Sequence, residues 1–221
     1  SDKEVKRADN FCESYKQFMN QSKTEREAVS YTIRKAEKAG FVPFENTKKY
    51  NAGDKVYYNN RGKALILAVI GKNGCKNGVR ISAAHIDSPR LDLKPHPLYE
   101  KNDISFFKSH YYGGLKKYQW TAIPLSMHGI AVRKDGVSVT ICIGEDEGDP
   151  QFCVTDLLPH LSSEQMEKKL SKAIEGENLN IIVGSRPLRA DEGDELFKLN
   201  IMKLINDKYG MTEEDFVSAD I

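Results

Sequence analysis

The run Ala64-Leu-Ile-Leu-Ala-Val-Ile70 constrains the fold more than any other stretch of this chain of 221 residues. It presents no polar residue to either face, which is typical of a strand covered on both sides of a sheet. After a loop that contains Asn73-Gly74 and Asn77-Gly78, the segment Val79-Arg-Ile-Ser-Ala-Ala84 predicts a second buried strand. Such strands require other secondary structure packed against them.

Two helices are predicted before these strands. Apolar residues recur at helical spacing between Val5 and Phe18, which indicates one buried face. Ser22–Glu25 and Thr24–Glu27 both fit the capping box that begins a helix, and Gly40 stands where a C-terminal cap is expected. Helices beside buried strands indicate an α/β layer in this part of the chain.

From about Pro95 onward the sequence changes to short strands separated by turns. The predicted strands are Ile104–Phe107, Ile130–Arg133, Val137–Ile143 and Leu179–Val183, and the predicted helices are Ser163–Ile174 and Glu195–Lys208. We therefore predict two domains, residues 1–94 and residues 95–221, of which the second is rich in β-structure.

The composition excludes several classes of protein. The chain has 33 Lys and Arg against 32 Asp and Glu, whereas a dedicated nucleic-acid binder carries a clear basic excess. The aromatic and basic residues between Tyr111 and Trp120 are better interpreted as a subunit contact or core. No apolar stretch reaches the ~18 residues of a membrane span. The four cysteines form no Cys-x-x-Cys pair. We predict no nucleic-acid or membrane partner and a cytoplasmic chain.

The segment with the most chemical information is Ala83-Ala84-His85-Ile86-Asp87-Ser88-Pro89. His85 follows a predicted strand, and the carboxyl ends of strands are where open α/β sheets bind ligands. A metal-ligating histidine commonly has its second ring nitrogen held by a carboxylate, which Asp87 could supply. The same residues also fit a strand-end histidine beside a turn-forming Asp-Ser-Pro sequence. Spacing alone favours this second interpretation.

Motifs along the rest of the chain favour the interpretation of His85 as a metal ligand. The stretch Ala84-His-Ile-Asp-Ser-Pro-Arg-Leu-Asp-Leu-Lys-Pro95 resembles the first metal-site segment of the aspartyl aminopeptidase family of dizinc exopeptidases. The resemblance continues in the same order over nearly the whole chain, and it is closer to bacterial members than to the animal enzymes. Its further motifs are Tyr111-Tyr-Gly-Gly114, Pro124-Leu-Ser-Met-His-Gly129, Leu157-Leu-Pro-His-Leu161, Ile181-Ile-Val-Gly184 and Glu213-Glu-Asp-Phe-Val-Ser-Ala219.

The resemblance implies a fold, a cofactor and a set of partners. It implies the N-terminal half of a three-layer zinc-peptidase domain over residues 1–94, followed by an inserted dimerisation domain over residues 95–221. His85 matches the first zinc ligand of the family, and Asp87 matches the aspartate that orients this ligand. The complete enzyme would hold two zinc ions per active site, cleave peptides with a free N-terminus, and assemble as dimers and then as tetrahedral dodecamers.

The same resemblance makes His160 a candidate catalytic residue. Some family members send a histidine from this region into the active site of a neighbouring subunit, where it helps to stabilise the oxyanion. A histidine packed in a turn is the alternative. The carboxylate-rich segments Glu145–Asp149 and Asp191–Glu195 are interpreted as solvated loops or helix N-terminal charge rather than as replacement ligands.

The remaining ligands and the general-base glutamate of the family come after the inserted domain. One histidine and one aspartate cannot hold two zinc ions. We therefore expect this chain to carry the first ligand segment of a zinc aminopeptidase and to be inactive alone. One alternative is a catalytically incomplete fragment or split-gene product that acts only in subunit assembly. Another is a split enzyme that a second chain completes.

Overall fold

The structure is a computed structural model and describes residues 1–189 and 193–221. It is mixed α/β, as predicted, and divides into a first unit, Ser1–Ser88, and a second unit, Pro89–Ile221. The predicted boundary at residues 94 and 95 falls inside one continuous strand, Arg90–Lys101. Within the described ranges, no helix combines the length and the apolar character needed to cross a bilayer.

The first unit consists of two helices and a small sheet. Its elements are α1 (Asp2–Asn20), α2 (Glu25–Lys38), β1 (Val42–Pro43), β2 (Lys55–Asn60) and β3 (Ala64–Val69). β2 is central in the sheet, parallel to β1 and antiparallel to β3. α2 packs against β2 and β3 through buried residues that include Ala28 and Val29.

The ends of α2 follow the sequence prediction. The Thr24 hydroxyl accepts a hydrogen bond from the Glu27 amide, and the Glu27 carboxylate accepts one from the Thr24 amide at 2.9 Å. This is a capping box, and the overlapping box at Ser22 is not the one that forms. At the other end, Gly40 follows the helix with φ of +85°, a conformation that glycine adopts without steric cost.

Three burial predictions for the first unit are wrong. The apolar stripe of α1 is largely exposed, and β3 exposes side chains on both faces, among them Ile66 and Leu67. Val79–Ala84 has no regular secondary structure, and the exposed fractions of Val79 and Ile81 are 64% and 81%. A buried strand needs hydrogen-bonding neighbours and an apolar layer on each face. In the part of the chain that the structure describes, only β2 pairs with β3.

In its described residues the second unit contains two antiparallel sheets and three α-helices. Its strands are β4 (Arg90–Lys101), β5 (Ile104–Tyr112), β6 (Met127–Val132), β7 (Ser138–Ile143), β8 (Ile181–Gly184) and β9 (Ala219–Asp220). Its helices are α3 (Ser163–Glu167), α4 (Leu170–Ala173) and α5 (Leu196–Tyr209). The strand orders are β4-β5-β8 and β7-β6-β9. The four predicted strands are thus confirmed, whereas the predicted helix Ser163–Ile174 is divided into two short ones.

β4 is the longest strand that the sequence prediction missed. Pro95 and Pro97 interrupt its alternation, and proline is normally confined to edge strands or bulges. In the structure the register between β4 and β5 shifts between Leu93 and Leu98, so the prolines occupy an irregular section of an otherwise continuous strand. His96 lies between them with φ of +56°.

One hydrophobic core joins the elements of the second unit. Phe107 of β5, Ile141 of β7 and Ile205 of α5 are buried in it. The rings of Phe107 and Phe216 meet with their centroids 5.5 Å apart. A Cβ atom at Gly129 of β6 would lie 2.3 Å from the Asp220 carbonyl oxygen, so glycine is required where β9 crosses this position.

Candidate metal-binding segment

His85 and Asp87 lie on an irregular segment that follows residue 71 and ends where β4 begins. Nδ1 of His85 is 3.3 Å from the Asp87 carboxylate oxygen Oδ1 and 3.1 Å from the Asp87 carbonyl oxygen. Either oxygen can accept a hydrogen bond from a proton on Nδ1. With the proton there, the lone pair is on Nε2, and a histidine in this form can bind zinc through Nε2.

This pair is open to solvent. The exposed fractions of the His85 and Asp87 side chains are 84% and 41%. An ion pair or hydrogen bond at such a site contributes little to stability, so the arrangement is not explained by the stability of the first unit. Within residues 1–189 and 193–221, no group of three or more His, Cys, Asp and Glu side chains is arranged to hold a metal ion.

The residues just after Asp87 contact a second motif of the sequence. The Arg90 guanidinium lies over the Tyr112 ring, 4.7 Å from its centroid, and forms an ion pair with Asp92. Gly113 has φ of +101°, and a Cβ atom there would lie 2.7 Å from the Cα atom of Pro89. Tyr111–Gly114 therefore packs against the start of β4, and the glycine permits this close approach.

His160 belongs to the second unit. It lies in a 3₁₀ turn, Pro159–Leu161, and is exposed. The apolar side chains around it, Leu157, Leu158 and Leu161, are exposed as well. The structure thus brings His85 and Asp87 together and places His160 on an exposed surface turn.

Two carboxylates of the segment Glu145–Asp149, those of Glu145 and Asp149, have structural partners. The Gly144 amide donates a hydrogen bond to Asp149 at 2.9 Å, and Lys208 pairs with it at 3.0 Å; both interactions hold the pKa of this carboxyl below its usual range. Glu145 accepts a hydrogen bond from the Ser126 hydroxyl at 2.7 Å and lies 3.0 Å from Nε2 of His128. The sequence carried no signal for this last contact, because a loop separates the two residues.

The second carboxylate-rich segment, Asp191–Glu195, is described only in part. Asp191 and Glu192 lie outside the described residues. Glu195 stands at the N-terminal end of α5, and its carboxylate is 3.4 Å from the Lys198 ammonium group. Its position agrees with the interpretation as helix N-terminal charge.

Comparison with known proteins identifies the family. The family model of aminopeptidase I zinc metalloproteases (M18) matches residues 18–221. A probable M18 family aminopeptidase 1 of Clostridium acetobutylicum is 52% identical over 224 residues, which cover 100% of this chain and 48% of that protein. The corresponding protein of Borrelia garinii is 48% identical over 222 residues, with the same two coverages of 100% and 48%.

Solved structures agree with this result. The crystal structure of an M18 aminopeptidase from Thermotoga maritima matches with a TM-score of 0.90 and 44% identity, covering 97% of this chain and 47% of that one. The structure of an mApe1 dodecamer from S. cerevisiae shares the fold, with a TM-score of 0.63 and 15% identity over 97% of this chain. The chain spans about half the length of the relatives that it matches. The family resemblance is therefore confirmed: the chain belongs to the M18 family of zinc metalloproteases.

Proposed function

We propose that this chain is the N-terminal part of a zinc aminopeptidase that removes the first residue of peptides through a co-catalytic dizinc centre. The observation that carries the proposal is the His85–Asp87 pair, in which both acceptors of Asp87 face the same ring nitrogen of His85. The pair occurs in a chain that is 52% identical to a probable M18 aminopeptidase. Peptides with a free N-terminus are the substrates that such an activity implies.

The side chains of His85 and Asp87 together supply one ligand for a zinc ion. A neutral imidazole is a preferred nitrogen ligand of zinc, and Nε2 of His85 is available for it when the proton is on Nδ1. Asp87 holds this proton and thereby fixes the tautomer and the orientation of the ring. Bound zinc lowers the pKa of a coordinated water and polarises the carbonyl group of the peptide bond. In this proposal the remaining ligands come from residues that follow the matched region.

We assign the first unit to a partial three-layer peptidase domain. Its exposed apolar surface supports this assignment, because β3 and Val79–Ala84 together present a large area that a complete domain would bury. The residues that bury this surface would come from the part of the relatives' sequence that this chain does not span.

We assign the second unit to a dimerisation domain. The large apolar side chains exposed around α3 support a subunit contact there, and these side chains are Leu157, Leu158, Leu161, Met166 and Leu170. A yeast structure with the same fold is a dodecamer, which supports assembly beyond the dimer. His160 lies among these side chains, so the same contact would bring it to a neighbouring subunit, where it would donate a hydrogen bond to the oxyanion.

We assign this protein to the cytoplasm. Within the described residues, no disulfide joins Cys12, Cys75, Cys142 or Cys153. Reduced cysteines are the usual state in the reducing cytoplasm, whereas small secreted domains commonly carry disulfides.

A second candidate function is assembly without catalysis. It is favoured by the finding that the described residues bring no third metal-binding side chain to His85 and Asp87. Intact mass measured together with zinc content separates the two candidates. Active material that holds two zinc ions per site supports the peptidase. A single 25.0 kDa species that holds no zinc but forms dimers supports the assembly role.

The site itself is tested by His85→Ala in zinc-loaded protein of the relatives' full length. We expect loss of one zinc ion and of most aminopeptidase activity, with an unchanged circular dichroism spectrum. His110→Ala is a matched control, because it removes an exposed histidine from β5 in the second unit. Near-normal activity of His85→Ala with both metals in place would refute the assignment of His85.

A further inference from the structure

The loop between β3 and the His85 segment has an unusual sequence. Residues 71–78 read Gly-Lys-Asn-Gly-Cys-Lys-Asn-Gly and contain two Asn-Gly pairs, Asn73-Gly74 and Asn77-Gly78. Every residue from 71 to 85 is exposed, and residues 72–77 form successive turns. Exposed loop tips with small and polar residues are preferred sites of proteolytic cleavage and of tolerated insertions.

The local conformation leaves both pairs accessible. Gly74 and Gly78 have φ of +56° and +93°, and no atom lies within 4 Å of the place where a Cβ atom would stand at either glycine. Among the hydrogen bonds of the described residues, none holds the side-chain amide of Asn73 or Asn77. Each of these side chains is thus free to turn toward the backbone amide of the glycine that follows.

Each glycine amide is restrained by one turn hydrogen bond. The Gly74 amide donates to the Gly71 carbonyl at 3.2 Å, and the Gly78 amide donates to the Cys75 carbonyl at 3.2 Å. Backbone hydrogen bonds of exposed loops open locally at a small fraction of the free energy of global unfolding. They therefore give the two amides little protection.

We propose that Asn73 and Asn77 are sites of spontaneous deamidation in the folded protein. The glycine amide nitrogen loses its proton to solvent and attacks Cγ of the preceding asparagine. The N–Cγ bond forms, the Cγ–Nδ2 bond breaks, and the NH2 group takes up a proton from water and leaves as ammonia, so that a five-membered succinimide remains. Water then adds to one of the two ring carbonyls and opens the ring to aspartate or isoaspartate. No oxidant or cofactor takes part.

Other positions of the chain lack this combination of features. Asn178 and Asn200 are followed by Leu179 and Ile201, whose side chains hinder approach of the backbone nitrogen. The Asp135-Gly136 turn resembles the two loop pairs but has a carboxylate at the reacting position. The Val137 amide and the Arg133 guanidinium both donate to this carboxylate and lower the pKa of Asp135, which keeps it in the unreactive anionic form.

Deamidation changes the charge of the loop that precedes the His85 segment. The loop has Lys72 and Lys76 and no acidic residue, so two conversions make it neutral and lower the formal net charge of the chain from +1 to −1. An isoaspartate also inserts one methylene group into the backbone. Both changes occur directly before Val79–Ala84, the segment that leads to His85.

The test is incubation of the purified chain at neutral and mildly alkaline pH, followed by peptide mapping with mass spectrometry and by isoelectric focusing. We expect stepwise acidic species, loss of the amide at Asn73 and Asn77 well before any other asparagine, and faster conversion at higher pH. The double variant Asn73→Gln/Asn77→Gln is the matched control. It keeps both amides but would require a larger ring, so the acidic species should disappear.

A comparison with urea-unfolded chain tests the structural part of the argument. Conversion at Asn73 and Asn77 should be nearly as fast in the folded chain as in the unfolded one, whereas Asn200 in α5 should react faster on unfolding. The proposal is overturned if folding slows both loop sites many-fold. It is equally overturned if the acidic species persist unchanged in the double glutamine variant.

Discussion

Removal of the Asp87 carboxylate tests how the His85 ring is held. In a zinc-loaded protein of full length, Asp87→Ala deletes the oxygen that lies 3.3 Å from Nδ1 of His85. Loss of such a partner usually weakens metal affinity ~10–100-fold. We expect the lower end, about tenfold or 1.4 kcal/mol, because the Asp87 carbonyl oxygen remains 3.1 Å from the same nitrogen and still accepts its proton.

The assay is zinc competition with a chromogenic chelator, which yields a dissociation constant for each variant. Asp54→Ala is the matched control, since it removes another carboxylate of the first unit, one that accepts a hydrogen bond from the Asn51 amide at 2.7 Å. Its zinc affinity should equal that of the wild type. An unchanged affinity for Asp87→Ala would refute the orienting role, and a loss as large as that of His85→Ala would make Asp87 a ligand instead.

Three further predictions concern stability and local order. Gly129→Ala should lower the free energy of unfolding by about 1–3 kcal/mol, the usual range for overpacking. The reason is that the added Cβ atom would meet the Asp220 carbonyl oxygen. An unchanged urea midpoint would contradict this expectation. Asp149→Asn should lower the urea midpoint at neutral pH, because the pKa of Asp149 is depressed by the Gly144 amide and Lys208. A carboxyl group with a depressed pKa stabilises the fold at pH values above the ordinary aspartate pKa of about 3.9. The difference in urea midpoint between wild type and variant should therefore stay constant from pH 7 to mildly acidic pH and shrink only below that pKa. Limited trypsin digestion should cut the chain first within residues 71–85, because every residue there is exposed. Initial cleavage within α5 would contradict the expectation that this loop opens before the helix.

The sequence predicted those elements of the fold whose signals are local. The capping box at Thr24 and the glycine after α2 are determined by residues a few positions apart, and the structure has both. Burial of Val79–Ala84 could not be predicted in the same way, because it depends on what covers the segment from elsewhere. β4 escaped prediction for a related reason: its prolines are tolerated only because the register shifts beside them.

The same distinction applies to the candidate site. His85 and Asp87 are two residues apart, and the family resemblance, rather than their spacing alone, led us to expect their contact. The contact of His128 with Glu145 could not, because it depends on the register of β6 against β7, in which His128 pairs with Cys142. The close approach of Gly113 to Pro89 also joins two motifs that only the folded chain brings together.

The pairing of β6 with β9 has a consequence for biosynthesis. Ile130 and Ala131 pair with Asp220 and Ala219, so the outer edge of β6 must wait for residues that leave the ribosome about 90 positions later. At bacterial or eukaryotic rates of translation this delay lasts roughly 5–20 s. An unpaired edge strand is a template for pairing with other chains. During this interval the nascent polypeptide therefore exposes an unpaired edge at β6.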